Sequence, residues 1–195
     1  MRTAARAVLA ASLLAAAVPA AALEGNVNVF AGQKWFSDTD WHPIEKQPAV
    51  GIQLAFGQLR SPIHFAVDVF YAHDDATVDQ AGVGTTKVEG GSTEYAIGVR
   101  KVFRRQARTH PHLGGGASLL AADITVESPA GREQADDSDF GYWIDGGVTW
   151  RLGAHFNLGV EVRYSRVQLE FGDVFLADKV PGGGFHAGAL VGFGW

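Results

Sequence analysis

The stretch Phe156-Asn157-Leu158-Gly159-Val160-Glu161-Val162-Arg163-Tyr164-Ser165 puts an apolar residue at every second position and a polar residue or glycine between. Successive side chains of a strand point to opposite faces, so the run predicts a strand with one apolar and one polar face. The same period returns in Val27, Val29, Ala31 and Trp35, and in Val50, Ile52, Leu54 and Phe56. It returns in Ile63, Phe65, Val67, Val69 and Tyr71, and in Tyr95, Ile97, Val99 and Phe103. Leu113, Ala117, Leu119 and Ala121 carry it next, then Tyr142, Ile144, Val148 and Trp150. Phe185, Ala187, Ala189, Val191, Phe193 and Trp195 close the series. Eight strands are predicted and no helix.

The segments between the strands alternate in length. Gln58–Pro62, Arg104–Thr109 and Leu152–His155 are short, whereas Ser37–Gln47, His73–Gly91, Ala122–Asp139 and Arg166–Gly182 are long and polar. Antiparallel strands joined this way carry all short turns at one end and all long loops at the other. Residues 1–22 are set apart from this pattern. Arg2 and Arg6 precede the uncharged apolar run Ala7 to Val18, and Ala20-Ala21-Ala22 fits a small-residue cleavage site. That is the layout of a secretory signal peptide, and the run is too short to span a bilayer as a helix. Residues 23–195 then form one domain.

Composition removes several function classes. Charged residues are only 19% and apolar residues 47%, which rules out an intrinsically disordered chain. Cysteine is absent, so disulfides, thiolate metal sites and a cysteine nucleophile are excluded. The net charge of −5 argues against nucleic-acid binding.

The aromatic residues decide which solvent the apolar face meets. Tyr71, Tyr95, Tyr142 and Tyr164 all share the apolar parity and lie next to a long loop, with Trp35 and Phe185 in equivalent places. At the short-turn end the same parity holds Phe56, Phe103, Trp150, Phe156 and Trp195. Tyr95 and Phe103 are about eight residues apart, roughly 26 Å along a strand. A tilt of about 40° reduces this to roughly 20 Å of height, near the apolar band of a membrane barrel. A soluble core gives no reason for aromatics to sort by end. The predicted fold is therefore all-β, an eight-stranded antiparallel up-and-down transmembrane β-barrel.

With its leader, eight alternating strands and the terminal run Ala189-Leu190-Val191-Gly192-Phe193-Gly194-Trp195, the chain resembles the small outer-membrane barrel proteins of bacteria, the OmpA, OmpX and OmpW-like families. The resemblance covers residues 23–195 and implies an outer-membrane location. It implies contact with membrane lipids and lipopolysaccharide, and delivery by the barrel-assembly machinery, which would read Val191, Phe193 and Trp195. A monomer is expected; some members carry a peptidoglycan-binding domain after the barrel, and none is expected here, where the chain ends at the last strand. Phe is usual at the terminal position, so Trp195 is a mild departure.

The inward parity collects Lys34, Asp68, Glu94, Arg100, Asp145, Arg151, Glu161 and Arg163. Four acids and four bases can pair in a low-dielectric lumen, where isolated charges are prohibitively costly. A lumen of eight strands is only wide enough to be filled by side chains or to hold one small ligand. Inward glycines, Gly51, Gly98, Gly114, Gly116, Gly147, Gly159, Gly188 and Gly192, are expected to make room for long Arg and Glu side chains. Few inward residues are apolar: Phe30, Phe70, Leu120 and Leu190. That favours a plugged lumen over the alternative, an OmpW-like narrow channel or transporter for a small hydrophobic molecule.

Charge also divides by end. Arg60, Arg104, Arg105 and Arg108 lie on short turns, whereas the long loops hold most acids, densest at Asp136-Asp137-x-Asp139. Those carboxylates suit Ca²⁺ or Mg²⁺ but lack the spacing of an EF-hand loop. His110-x-His112 turns both rings to one face of the fifth strand, toward His64, and imidazole suits Zn²⁺. No acidic partner stands beside them in sequence, so they are read as turn histidines, and no metal or cofactor is expected. Catalysis would need a Ser/His/acid group. No Gly-x-Ser-x-Gly occurs, and His73 with Asp74 and Asp75 is placed at the outer rim, with Ser165 inward near the opposite rim. The expected role is non-enzymatic: structural, in envelope integrity, or in surface interaction through the long loops.

Overall fold

A computed structural model describes residues 23–36, 41–59, 61–80, 84–103, 107–129, 131–171 and 179–195. The leader over 1–22 lies outside them, as do Ser37, Arg60, Arg104 and Arg105. The strands are β1 (Leu23–Phe36), β2 (Lys46–Gln58), β3 (Ile63–Gln80), β4 (Gly84–Val102) and β5 (Thr109–Ser128). They continue with β6 (Gly131–Leu152), β7 (Phe156–Arg166), the two-residue β8 (Gln168–Leu169) and β9 (Val180–Pro181), and β10 (Gly184–Gly194). Seven consecutive strands and β10 form one closed antiparallel barrel, sealed where β1 meets β10 from Asn26↔Gly194 to Phe36↔Gly184. Closure satisfies every ladder inside the membrane, where an open edge could find no water.

The alternation places one parity outside and the other in the lumen. Val29, Ile52, Phe65, Ile97, Leu113, Ile144 and Val162 are all more than half exposed, whereas Asn28, Gln53, Asp68 and Arg163 are buried. The wall thus shows hydrocarbon outward and encloses its polar groups, the inverse of a soluble barrel.

Two of the four long connections differ from expectation. His73–Gly91 and Ala122–Asp139 are not loops but continuations of hairpins. β3 and β4 stay paired out to Gln80↔Gly84, and β5 and β6 out to Ser128↔Gly131. The two hairpins pair with each other as far as Lys87↔Glu127. β2 leaves β3 at Ala72, and β7 reaches β6 only at Tyr142. A four-stranded sheet therefore rises beyond the rim. Its inner face, with Ala76, Val88 and Ala135, leans on an apolar cluster of Phe36, Trp41, Ile44, Leu120, Leu169 and Phe171. Trp41 stacks on Phe36 at 3.9 Å between ring centroids, and its Nε1 donates to the Pro181 carbonyl at 2.8 Å. This cluster caps the outer end of the barrel.

The inward glycines serve rings more than long charged chains. A Cβ on Gly51 would stand 2.7 Å from the Phe70 ring, on Gly98 2.8 Å from Trp143, and on Gly188 2.7 Å from Phe30. The Trp143 indole lies over the glycine-rich stretch of β4 and β5, and its Nε1 donates to the carbonyls of Ile97 and Ala117.

Candidate functional site

The lumen is the candidate site, and it is layered. Below the outer cap, Lys34 Nζ donates to Ser92 Oγ at 2.9 Å and sits 4.2 Å over the Phe36 ring. Next comes Arg163, with no exposed surface. Its Nη1 donates to Asp68 Oδ2 and its Nη2 to Glu94 Oε1, both at 2.9 Å. Its guanidinium lies 4.3 Å from the Trp143 ring centroid and 4.7 Å from that of Phe70. Ser165 Oγ donates to the other oxygen of Glu94 at 2.9 Å.

One layer further in, Arg100 joins Asp68 to Asp145. Its Nη2 donates to Asp68 Oδ2 at 3.1 Å, and both Nε and Nη2 donate to Asp145 Oδ2. Glu161 Oε2 lies 3.9 Å from Arg100 Nη2 and 3.1 Å from His112 Nε2, while Oε1 accepts from Gln53 Nε2 at 2.6 Å. Asp68, Glu94, Arg100, Asp145, Glu161 and Arg163 thus form one connected group. Arg151 stands apart from it: it lines a vestibule at the short-turn end, and its Nε is buried with no hydrogen-bond partner. The same vestibule is lined by His64, His110 and His112. His64 Nε2 meets Glu24 Oε1 at 3.1 Å.

The pairing of His112 with Glu161 escaped the sequence reading, although both residues were in view. The acidic partner of His112 is not its neighbour along the chain: Glu161 arrives from two strands away. Trp143 was also missed, although it shares its parity with Asp145. Ser165 lies at the outer end of β7, bonded to Glu94 and facing inward, whereas His73 faces outward beside Glu89 at 3.7 Å. No Ser–His pair forms among the described residues.

On the outside, Tyr71, Tyr95, Tyr142 and Phe185 are exposed on the outer band and Trp35 and Tyr164 half-buried. Phe103, Trp150, Phe156 and Trp195 are exposed on the inner band, with Phe56 half-buried. Val191 and Phe193 point outward along β10 and Trp195 just beyond its end, each 44–50% exposed. Above the outer band, the register aligns His73, Gly91, Asp123 and Asp136 in one row across β3 to β6. Burial pushes the Asp123 carboxyl up against the pull of His73, and Glu89 and Asp136 push it the same way as burial.

Residues 7–193 match the family described as outer membrane protein beta-barrel domain. Among solved structures, the chain is similar to a major outer membrane protein of Thermus thermophilus, at 13% identity and a TM-score of 0.51, covering 89% of this chain and 99% of that one. It is similar to Ail, the attachment invasion locus protein of Yersinia pestis, solved with the heparin analogue sucrose octasulfate, at 12% identity, a TM-score of 0.50 and coverage of 89% and 99%. Neisserial surface protein A is 15% identical at a TM-score of 0.43, with 88% and 94% covered. These likenesses concern the fold alone. No curated protein matches the chain.

Proposed function

Because the chain belongs to the outer membrane protein β-barrel family, we propose that it is a sealed, non-enzymatic barrel that acts at the cell surface through the sheet raised above its rim. The observation that carries this reading is Arg163, fully buried and clamped by Asp68 and Glu94 between the rings of Phe70 and Trp143. A plug of that kind blocks the lumen, and the Trp41 cap blocks it again outside. A narrow channel for a hydrophobic molecule would need an apolar path, and ion pairs hold the centre instead. The raised hairpins carry Asp74, Asp75, Asp79, Glu127, Glu133, Asp136 and Asp137, a surface suited to basic partners.

Planar-bilayer recording of the purified protein is expected to show no stable conductance steps. Reproducible large steps would replace this reading with a porin. Replacing the tips of both hairpins by short turns is expected to leave folding intact, read by gel mobility before and after heating. The same change abolishes attachment of expressing cells to basic surfaces. Attachment that survives it would overturn the surface role.

Residues 1–22 act as a cleaved leader, checked by an intact mass that begins at Leu23. Val191, Phe193 and Trp195 face outward where the assembly machinery would meet them. The mature barrel sits as a monomer among lipid and lipopolysaccharide, since closure leaves no strand edge within the membrane.

A further inference from the structure

We propose that His112, Asp145 and Glu161 bind one divalent transition-metal ion of the Zn²⁺ class, loaded through the vestibule at the periplasmic mouth. The three residues come from β5, β6 and β7, and the register explains how they meet. His112 pairs with Gly147, and Gly147 pairs with Glu161. The middle position has no side chain, so the imidazole and the carboxylate approach each other over it, with Nε2 and Oε2 3.1 Å apart. A Cβ on Gly147 would stand 2.9 Å from His112 Nε2 and close this space. Asp145 lies two residues along β6 on the same face. One donor atom from each of the three lies within 4.8 Å of the others. Donors around a tetrahedral Zn²⁺ stand about 3.3 Å apart, so small side-chain movements complete the set.

Charge points to the same place. Asp68, Glu94, Asp145 and Glu161 are buried with Arg100, Arg163 and Lys34, one negative charge in excess when histidines are neutral, and the fourth lumenal cation, Arg151, is half-buried in the vestibule outside this group. An unbalanced buried charge is costly. The excess lies at the Glu161 end, because Arg163 is held by Asp68 and Glu94. Arg100 opposes a cation there, but its own charge is met by Asp68 and Asp145. Asp145 Oδ2 belongs to Arg100, whereas Oδ1 is buried and accepts no hydrogen bond. Gln53 already fixes the carboxylate of Glu161 through its other oxygen, the part an outer-shell residue plays for a metal ligand.

Access and chemistry complete the argument. The vestibule offers about 70 Å³, enough for an ion with a few waters and too little for an organic solute. His112 and Glu161 form part of its wall, with His64, His110 and Asn157. Imidazole with carboxylates favours Zn²⁺-class ions over Ca²⁺ and Mg²⁺, which take oxygen donors.

The test uses the untagged full-length mature protein, folded in detergent micelles and titrated with Zn²⁺ by calorimetry. One ion per chain is expected, undisturbed by excess Mg²⁺. His112→Gln keeps a donor toward Glu161 and loses the ring nitrogen, and is expected to weaken binding by at least about 10-fold. His73→Gln, outside the barrel, leaves binding unchanged. Co²⁺ added to the wild-type protein gives visible ligand-field bands of a nitrogen–oxygen site, which a purely structural ion-pair network cannot produce. Should His112→Gln fail to fold, this wild-type spectrum alone decides. No saturable Zn²⁺ binding, no such Co²⁺ spectrum, or affinity lost in His64→Gln rather than His112→Gln would overturn the proposal.

Discussion

Arg163→Met is expected to lower the unfolding stability by about 3–5 kcal/mol, the cost of removing one partner from a buried ion pair. The methionine fills much of the volume between Phe70 and Trp143, so the loss is chiefly electrostatic. It strands the charge of Glu94, left with the Ser165 hydroxyl, and leaves Asp68 to Arg100 alone; both carboxylates accept a guanidinium hydrogen bond from Arg163 at 2.9 Å. Arg163→Lys keeps the charge but cannot serve two carboxylates with one planar fork, and is expected to cost less than the methionine. Combining Arg163→Met with Glu94→Gln restores part of the loss, because the stranded charge of Glu94 is gone. The measurement is reversible urea unfolding in liposomes, followed by Trp fluorescence and gel mobility. A loss below about 1 kcal/mol for Arg163→Met, the size typical of exposed pairs, would mean that water reaches the clamp and the lumen is not sealed.

Val160→Arg is expected to cost roughly 2–4 kcal/mol in the same assay, the cost of arginine at the bilayer midplane of a barrel. Val160 is half exposed on the outer face, paired with Val148 on β6 and Ala189 on β10. Val99→Arg, on β4, is expected to behave alike, as are Val148→Arg and Ala117→Arg. Leu152→Arg, at the inner end of β6, is expected to cost only about 0–1 kcal/mol, as near an interface. The wall carries a natural cation on that side in Lys101, 5.1 Å over the Phe103 ring. Thr149 turns inward beside Val148, so arginine there tests lumen packing rather than depth. Equal tolerance of arginine at Val99, Val160 and Leu152 would contradict a lipid-facing wall.

The division between what the sequence determines and what it leaves to the fold follows the range of each interaction. Which face a residue takes is a local property, fixed by its place in a two-residue period. The strands, and the outward face of residues such as Val160, Tyr95 and Phe103, are therefore legible in the sequence. The period weakens where a strand's inner face meets only part of a cap. Asp74 to Asp79 and Arg132 to Asp139 run beyond the rim, place only small residues such as Ala76 and Ala135 against the apolar cap, and read as loops although they are paired strands. Parity also says that Arg163, Arg151, Asp68 and Glu161 share the lumen, but not which of them meet. Partners such as Arg163 and Asp68 are 95 residues apart, brought to one height by the stagger of the closed barrel. That stagger seats Arg163 between Asp68 and Glu94, leaves Arg151 in the vestibule, and carries His112 over Gly147 to Glu161. No property of the individual strands specifies it, because it exists only once β1 and β10 have closed the ring.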